Sequence, residues 1–149
     1  MTKTKDDFKI KGSFIATLRH KDGSVEVRRK DNLILNGGFD FICDAIANSS
    51  RGSVMGYTAV GTGTTAVAAT QTGLTTELHR LAATYAHTTG TKVFTLTSYF
   101  GTGVATGAIT EAGICNASSG GTFLDRVVFA VINKAADDEL TTNFQFTLS

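Results

Sequence analysis

The segment Leu140-Thr141-Thr142-Asn143-Phe144-Gln145-Phe146-Thr147-Leu148 decides the fold class. Leu140, Phe144, Phe146 and Leu148 fall on one parity while Thr141, Asn143, Gln145 and Thr147 fall on the other, which is the two-residue period of a strand with one buried face. The same period opens the chain. Phe8, Ile10, Gly12, Phe14, Ala16 and Leu18 alternate with Lys9, Lys11, Ser13, Ile15, Thr17 and Arg19. Asp22-Gly23 supplies the positive dihedrals of a tight turn, so Val25 to Arg29 is expected to return as a partner strand. Both strands at the ends of the chain thus have a face to bury.

Between them, Asn36 is read as a helix cap. Phe39, Ile42, Cys43 and Ile46 recur at helical spacing, so the sequence predicts one short helix over 37–47. Further strands are expected at 54–60, 82–88, 91–100, 108–115, 122–132 and 139–148, with 74–81 either extended or a helical turn. Residues 61–73 carry too little bulk for a core and read as a long surface loop. Thr, Val, Ile and Phe suit pleated half-buried surfaces, and 16 glycines punctuate them. The expected fold is mainly β: an antiparallel β-sandwich, jelly-roll-like, with one short helix, in a single domain over 1–149 and with residues 1–12 as an extended N-terminal arm. The length of 149 residues and the absence of proline allow one core and no proline-rich linker.

The formal net charge of +1 hides an asymmetry, because residues 1–30 hold nine Lys or Arg against four acids and the remainder five against nine. This pattern reads either as a solvated edge or as an arm that docks on an acidic surface. Lys3, Lys5, Phe8, Lys9 and Lys11 are therefore candidate partner contacts. Parity puts Phe8 and Phe14 opposite Lys9 and Lys11, which argues for core aromatics rather than stacking platforms, so nucleic acid is not an expected partner. No apolar run is long enough for a membrane helix, and the first residues lack the apolar core of a signal peptide.

Gly61-Thr62-Gly63-Thr64-Thr65-Ala66 fits the dinucleotide fingerprint formally. No helix-forming stretch follows it, and Glu77 answers only loosely for the ribose-binding acid. Gly61, Thr62, Gly63, Thr64 and Thr65 are accordingly read as a partner-contacting loop, and no cofactor is expected. His20, His79 and His87 show no metal-ligand spacing; Asp137-Asp138-Glu139 reads as a solvated turn. Cys43 and Cys115 are expected as reduced, buried thiols. No nucleophile–base pair stands out, so the chain is not expected to be an enzyme.

Three segments together resemble a widespread group of small virion proteins of tailed bacteriophages. They are Asn32-Leu33-Ile34-Leu35-Asn36-Gly37-Gly38 leading into the helix; Tyr57-Thr58-Ala59-Val60-Gly61-Thr62-Gly63-Thr64-Thr65 followed by Leu74, Glu77 and Arg80; and Ala108-Ile109-Thr110-Glu111-Ala112-Gly113-Ile114 through Phe123-Leu124-Asp125-Arg126, Phe129 and Asn133-Lys134. The likeness spans residues 30–148 in order and leaves out the basic start. It implies a β-rich component of the virion, assembled in the bacterial cytoplasm. The expected role is a capsid cement or decoration protein on the head surface, self-associated as a dimer or trimer and bridging subunits of the major capsid protein. A tail, neck or fibre-adaptor protein is the alternative, and a glycan-binding module a more distant one.

Overall fold

A computed structural model describes residues 7–149. Its elements are β1 (Ile10–Arg19), β2 (Val25–Ile34), α1 (Asn36–Ala47), β3 (Tyr57–Gly61), β4 (Glu77–Ala82), β5 (Thr84–His87), β6 (Val93–Phe100), β7 (Gly107–Cys115), β8 (Asp125–Lys134) and β9 (Glu139–Leu148). All nine strands belong to one sheet in the order β4-β3-β7-β8-β2-β1-β9-β6-β5, and every pairing is antiparallel. The sheet folds on itself. β5, β6, β9, β1 and β2 form one layer and β4, β3, β7 and β8 the other.

The layers join at two places. On one flank the end of β2 crosses over and pairs with β8 through only Leu33↔Arg126 and Ile34↔Asp125. On the other flank the two edge strands, β4 and β5, are consecutive in the chain. They are separated by the corner residue Ala83, whose N–H donates to the Gly56 carbonyl at 2.8 Å. The Ser98 hydroxyl of β6 reaches Thr58 Oγ1 at 2.8 Å and the Ala82 carbonyl at 3.1 Å across that corner. The expected antiparallel, mainly β architecture with one helix is what the described residues form, curled into a nearly closed sheet around a main core, with a smaller buried cluster at Leu35, Ala59, Cys115 and Phe123.

The core follows the parity of the end strands. Phe14, Ala16 and Leu18 of β1 and Leu140, Phe144 and Phe146 of β9 are buried. The Phe14 ring lies 4.8 Å from Phe144 in its own layer and 4.9 Å from Phe129 of β8 in the facing one. Phe8 departs from its expected core role: β1 begins at Ile10, and the Phe8 side chain is 63% exposed. Residues 10–12, placed in the N-terminal arm by the sequence, are strand residues, because they pair with Thr147, Leu148 and Phe146 of β9. β2 likewise runs beyond the expected Val25 to Arg29 through Asp31-Asn32, because these residues pair with Ser13 and Gly12 of β1.

The helix starts one residue earlier than predicted and without the expected cap. Leu35 holds the N-cap position and offers no side-chain bond, while Asn36 lies inside the first turn and its N–H donates to the Ala69 carbonyl at 2.9 Å. Docking depends on Gly38, where an added Cβ would stand 2.2 Å from the Leu124 carbonyl oxygen. Helix propensity alone favours alanine over glycine by about 1 kcal/mol. The contact with backbone reverses the sign, and Gly38→Ala is expected to destabilise the fold by about 1–3 kcal/mol. A lowered urea midpoint at unchanged m-value checks this, and a raised midpoint would show that α1 moves freely away from Leu124.

Candidate functional site

The long segment after β3 proves to be fastened down. Its anchor is a fully buried ion pair between Glu111 of β7 and Arg126 of β8, with Arg126 Nη2 donating to Glu111 Oε2 at 2.7 Å. Arg126 Nη1 also donates to the Thr65 carbonyl and to Gln71 Oε1, both at 2.9 Å. The Glu111 carboxylate accepts from the backbone N–H groups of Thr75 and Thr76. Burial pushes the Glu111 carboxyl up, but the Thr76 amide, Arg126 and the Thr75 amide outweigh it and hold the group below the usual carboxylate range. Charge-assisted bonds of this kind fix a loop that has almost no apolar mass.

Of the loop residues read as partner contacts, Gly61 and Gly63 are buried, Thr62 is half-buried, and Thr64 and Thr65 are exposed. A Cβ at Gly63 would lie 1.8 Å from Thr75 Oγ1 and 2.7 Å from Glu111 Oε2. The glycines are therefore packing positions, and within 61–65 the exposed residues are Thr64 and Thr65. The span 61–76 contains no helix, so it lacks the helix N-terminus that a pyrophosphate site requires. Lys3 and Lys5 lie outside the described residues. Lys9 and Lys11 are exposed, and the Lys9 backbone exchanges hydrogen bonds with Ser149 at 2.6 and 2.9 Å.

Other groups singled out from sequence have structural duties. The His20 ring bridges Glu26 at 2.6 Å and Asp138 at 3.1 Å, and these bonds, Glu26 first, raise its pKa. Asp138 is buried rather than solvated as expected, because its carboxylate accepts from the Ala135 N–H at 2.8 Å as well as from His20. Both cysteines are free; Cys115 is buried, and burial pushes its thiol up to about 11, whereas Cys43 is exposed, contrary to expectation. Among the described residues no group of His, Cys, Asp or Glu could hold a metal ion, and no helix is long and apolar enough to cross a membrane.

The surface that sequence reasoning missed lies beside the helix. An apolar cavity of about 700 Å³, half open to solvent, separates α1 from one end of the β5–β6–β9 layer. Ile42 and Ile46 line it from α1, Val54 and Met55 from the segment after the helix, and Tyr85 and Phe94 from the strands. Phe8 and Leu148 close it where the first and last described segments meet. No lining residue carries a charge. Four of them stand well out into solvent: Phe8 at 63%, Ile46 at 76%, Val54 at 80% and Tyr85 at 63% exposure.

Such a grouping contains no acid, base or nucleophile and is suited to binding apolar surface. A signal for it exists in the sequence. Phe39, Phe41, Ile42, Cys43, Ala45 and Ile46 give the helix apolar residues on more than one face, more than one contact with the sheet can cover. No family model, curated protein or solved structure matches this chain.

Proposed function

We propose that this protein is a structural component of a tailed-bacteriophage virion, a cement or decoration protein. It binds the outside of the head and bridges subunits of the major capsid protein. The observation that supports the reading is the uncharged cavity beside α1, rimmed by the exposed Phe8, Ile46, Val54 and Tyr85. Apolar groups collected at one end of a small β domain favour a contact role over catalysis. The ordered likeness of residues 30–148 to small virion proteins supplies the biological setting.

In this reading the rim makes the self-association that yields a dimer or trimer, while the exposed Lys9 and Lys11 and the loop tip at Thr64-Thr65 face the coat. Binding only to the assembled shell stabilises that shell by mass action. A tail, neck or fibre-adaptor role uses the same surface at a single site on the particle.

The double variant Ile46→Asp, Val54→Asp tests the reading. Both side chains are largely in solvent, so folding is expected to change by no more than about 0.5 kcal/mol per site. Light scattering during size exclusion is expected to show an oligomer for the parent chain and a monomer for the variant. Immunogold labelling of intact particles is expected to cover the head. Label confined to the tail or one vertex would replace the cement role by the adaptor role, and absence from particles would overturn both.

A further inference from the structure

Before its junction with β8, β2 is the outer strand of its layer, and every second residue has backbone groups with no strand to bond. Lys9 and Ser149 exchange both main-chain hydrogen bonds, and the His20 N–H donates to the Ser24 carbonyl. Combined with the registers, these bonds fix the alternation: odd residues of β1 bond to β9, and even residues of β2 bond to β1. Val25, Val27, Arg29 and Asp31 therefore turn their N–H and C=O groups away from β1. Leu33, the next odd residue, meets β8. Among the described residues the N–H groups of the other four meet no acceptor, and all four residues are exposed.

β8 diverges from β2 beyond Arg126, and a bulge between the pairs Glu111↔Val128 and Ile109↔Ile132 takes Ala130 and Val131 out of the ladder with β7. The Arg28 side chain spans the wedge between the two strands. Its Nη1 donates to the Val27 carbonyl at 3.2 Å, while Nε and Nη2 donate to the Ala130 and Val131 carbonyls at 3.2 and 2.9 Å. Donors aimed at carbonyls on both sides are what a further strand would supply, and here one guanidinium stands in for it.

The charge along this edge selects the strand that fits it. Arg28, Arg29 and Lys30 follow one another, and Glu26 is already shared between His20 and Arg28. Arg29 and Lys30, like Lys9 and Lys11 of the neighbouring segment, have no acid within ion-pair distance among the described residues. Asp31 is the one acid of the edge in the same position. A second copy of β2 fits poorly, because an antiparallel two-fold pairing centred on residues 28–30 sets one of these cations opposite itself. An acidic strand meets no such repulsion.

We propose that the free edge of β2 over residues 25–31 docks an extended acidic segment of another protein, which adds to the sheet as a strand and displaces the Arg28 guanidinium from the wedge. Main-chain bonds to Val25, Val27, Arg29 and Asp31 supply the attachment, and side chains set the choice of partner. Parity defines the sequence it takes: apolar β-branched residues beside Val25 and Val27 on one face, carboxylates beside Arg28 and Lys30 on the other. The site shares no residue with the cavity beside α1, so its failure and the failure of the virion reading are separate results.

Amide hydrogen exchange on the full chain tests the site, with an eight-residue peptide of alternating Val and Glu as the probe. In the free chain the N–H groups of Val25, Val27, Arg29 and Asp31 are expected to exchange fast, while β1 protects those of Glu26, Arg28 and Lys30. With the peptide at about ten times its Kd, exchange at the four outward groups is expected to slow about tenfold, and less at high salt. A peptide of alternating Val and Lys is expected to leave them unchanged. Val27→Pro removes an N–H that β1 does not use, so the fold is expected to stand and the slowing at Val25, Arg29 and Asp31 to vanish. Should that variant fail to fold, Arg29→Glu with Lys30→Glu is expected to transfer the preference to the Val and Lys peptide. No slowing at millimolar Val and Glu peptide, equal slowing by the two peptides, slowing that survives in a folded Val27→Pro, or an unchanged preference after charge reversal would overturn the proposal.

Discussion

Arg126→Ala is expected to be the most damaging single substitution outside the apolar core, at a cost of about 3–5 kcal/mol. The guanidinium is wholly buried, and its removal leaves the Glu111 carboxylate in the interior without its cation. It also takes a donor from the Thr65 carbonyl and from Gln71 Oε1, which keeps only the Ala68 N–H. The pair Arg126→Met, Glu111→Leu removes both charges together and is expected to recover most of the loss, since a buried ion pair is worth little net against apolar groups of similar volume. Recovery of stability need not restore the loop. In the double variant, residues 62–76 lose the carboxylate that ties down Thr75 and Thr76, so limited proteolysis is expected to cut within this span while the rest of the domain resists. Equal destabilisation of the single and double variants in urea would show that the pair itself, rather than the orphaned charge, carries the energy.

Phe14→Ala is expected to cost about 3–5 kcal/mol. For a domain of this size that corresponds to a fall in Tm of roughly 6–20 °C. Phe14 touches Phe144 within its own layer and Phe129 across the core, so the cavity opens between the two layers, where neither can collapse onto it alone. Ile15, one residue on and pointing to the opposite face, sits among Arg29 and Asn143. Ile15→Ala is expected to lower Tm by less than a quarter as much. Similar shifts at the two positions in a calorimetric scan would mean that the parity of β1 does not set where its energy resides.

These two positions mark what was readable from sequence and what was not. Phe14 announces itself, because its own strand alternates cleanly and local period is enough to assign a face. Glu111 and Arg126 do not. Each sits in an apolar run, and only the registers β7–β8 and β3–β7 bring Arg126, Glu111 and the 61–76 segment into one place. Charge buried by long-range register has no local signature. The same reason hid the role of Gly61 and Gly63, which look like turn glycines and serve as clearance for Glu111. Asn36 was misread through propensity, since a carbonyl from the distant Ala69 takes the N–H that a cap would otherwise leave to solvent. The cavity beside α1 escaped because helical spacing reports that a face is apolar without saying how much of it the sheet covers.

The position of β9 also bears on how the chain finds its fold. It follows the other described strands in sequence, yet it sits in the middle of its layer, paired along its length with β1 on one side and β6 on the other. Until residues 139–148 pair, the β1–β2 and β5–β6 hairpins share no edge. Phe14 and Leu18 on one and Leu96 and Phe100 on the other remain uncovered. Every pair that β9 makes with β1 joins residues about 120–138 apart in sequence, so the fold has a high contact order and its rate is limited by a long-range search. A chain that lacks β9 therefore presents apolar strand edges to other copies, so pairing of these ten residues is what protects the layer from aggregation.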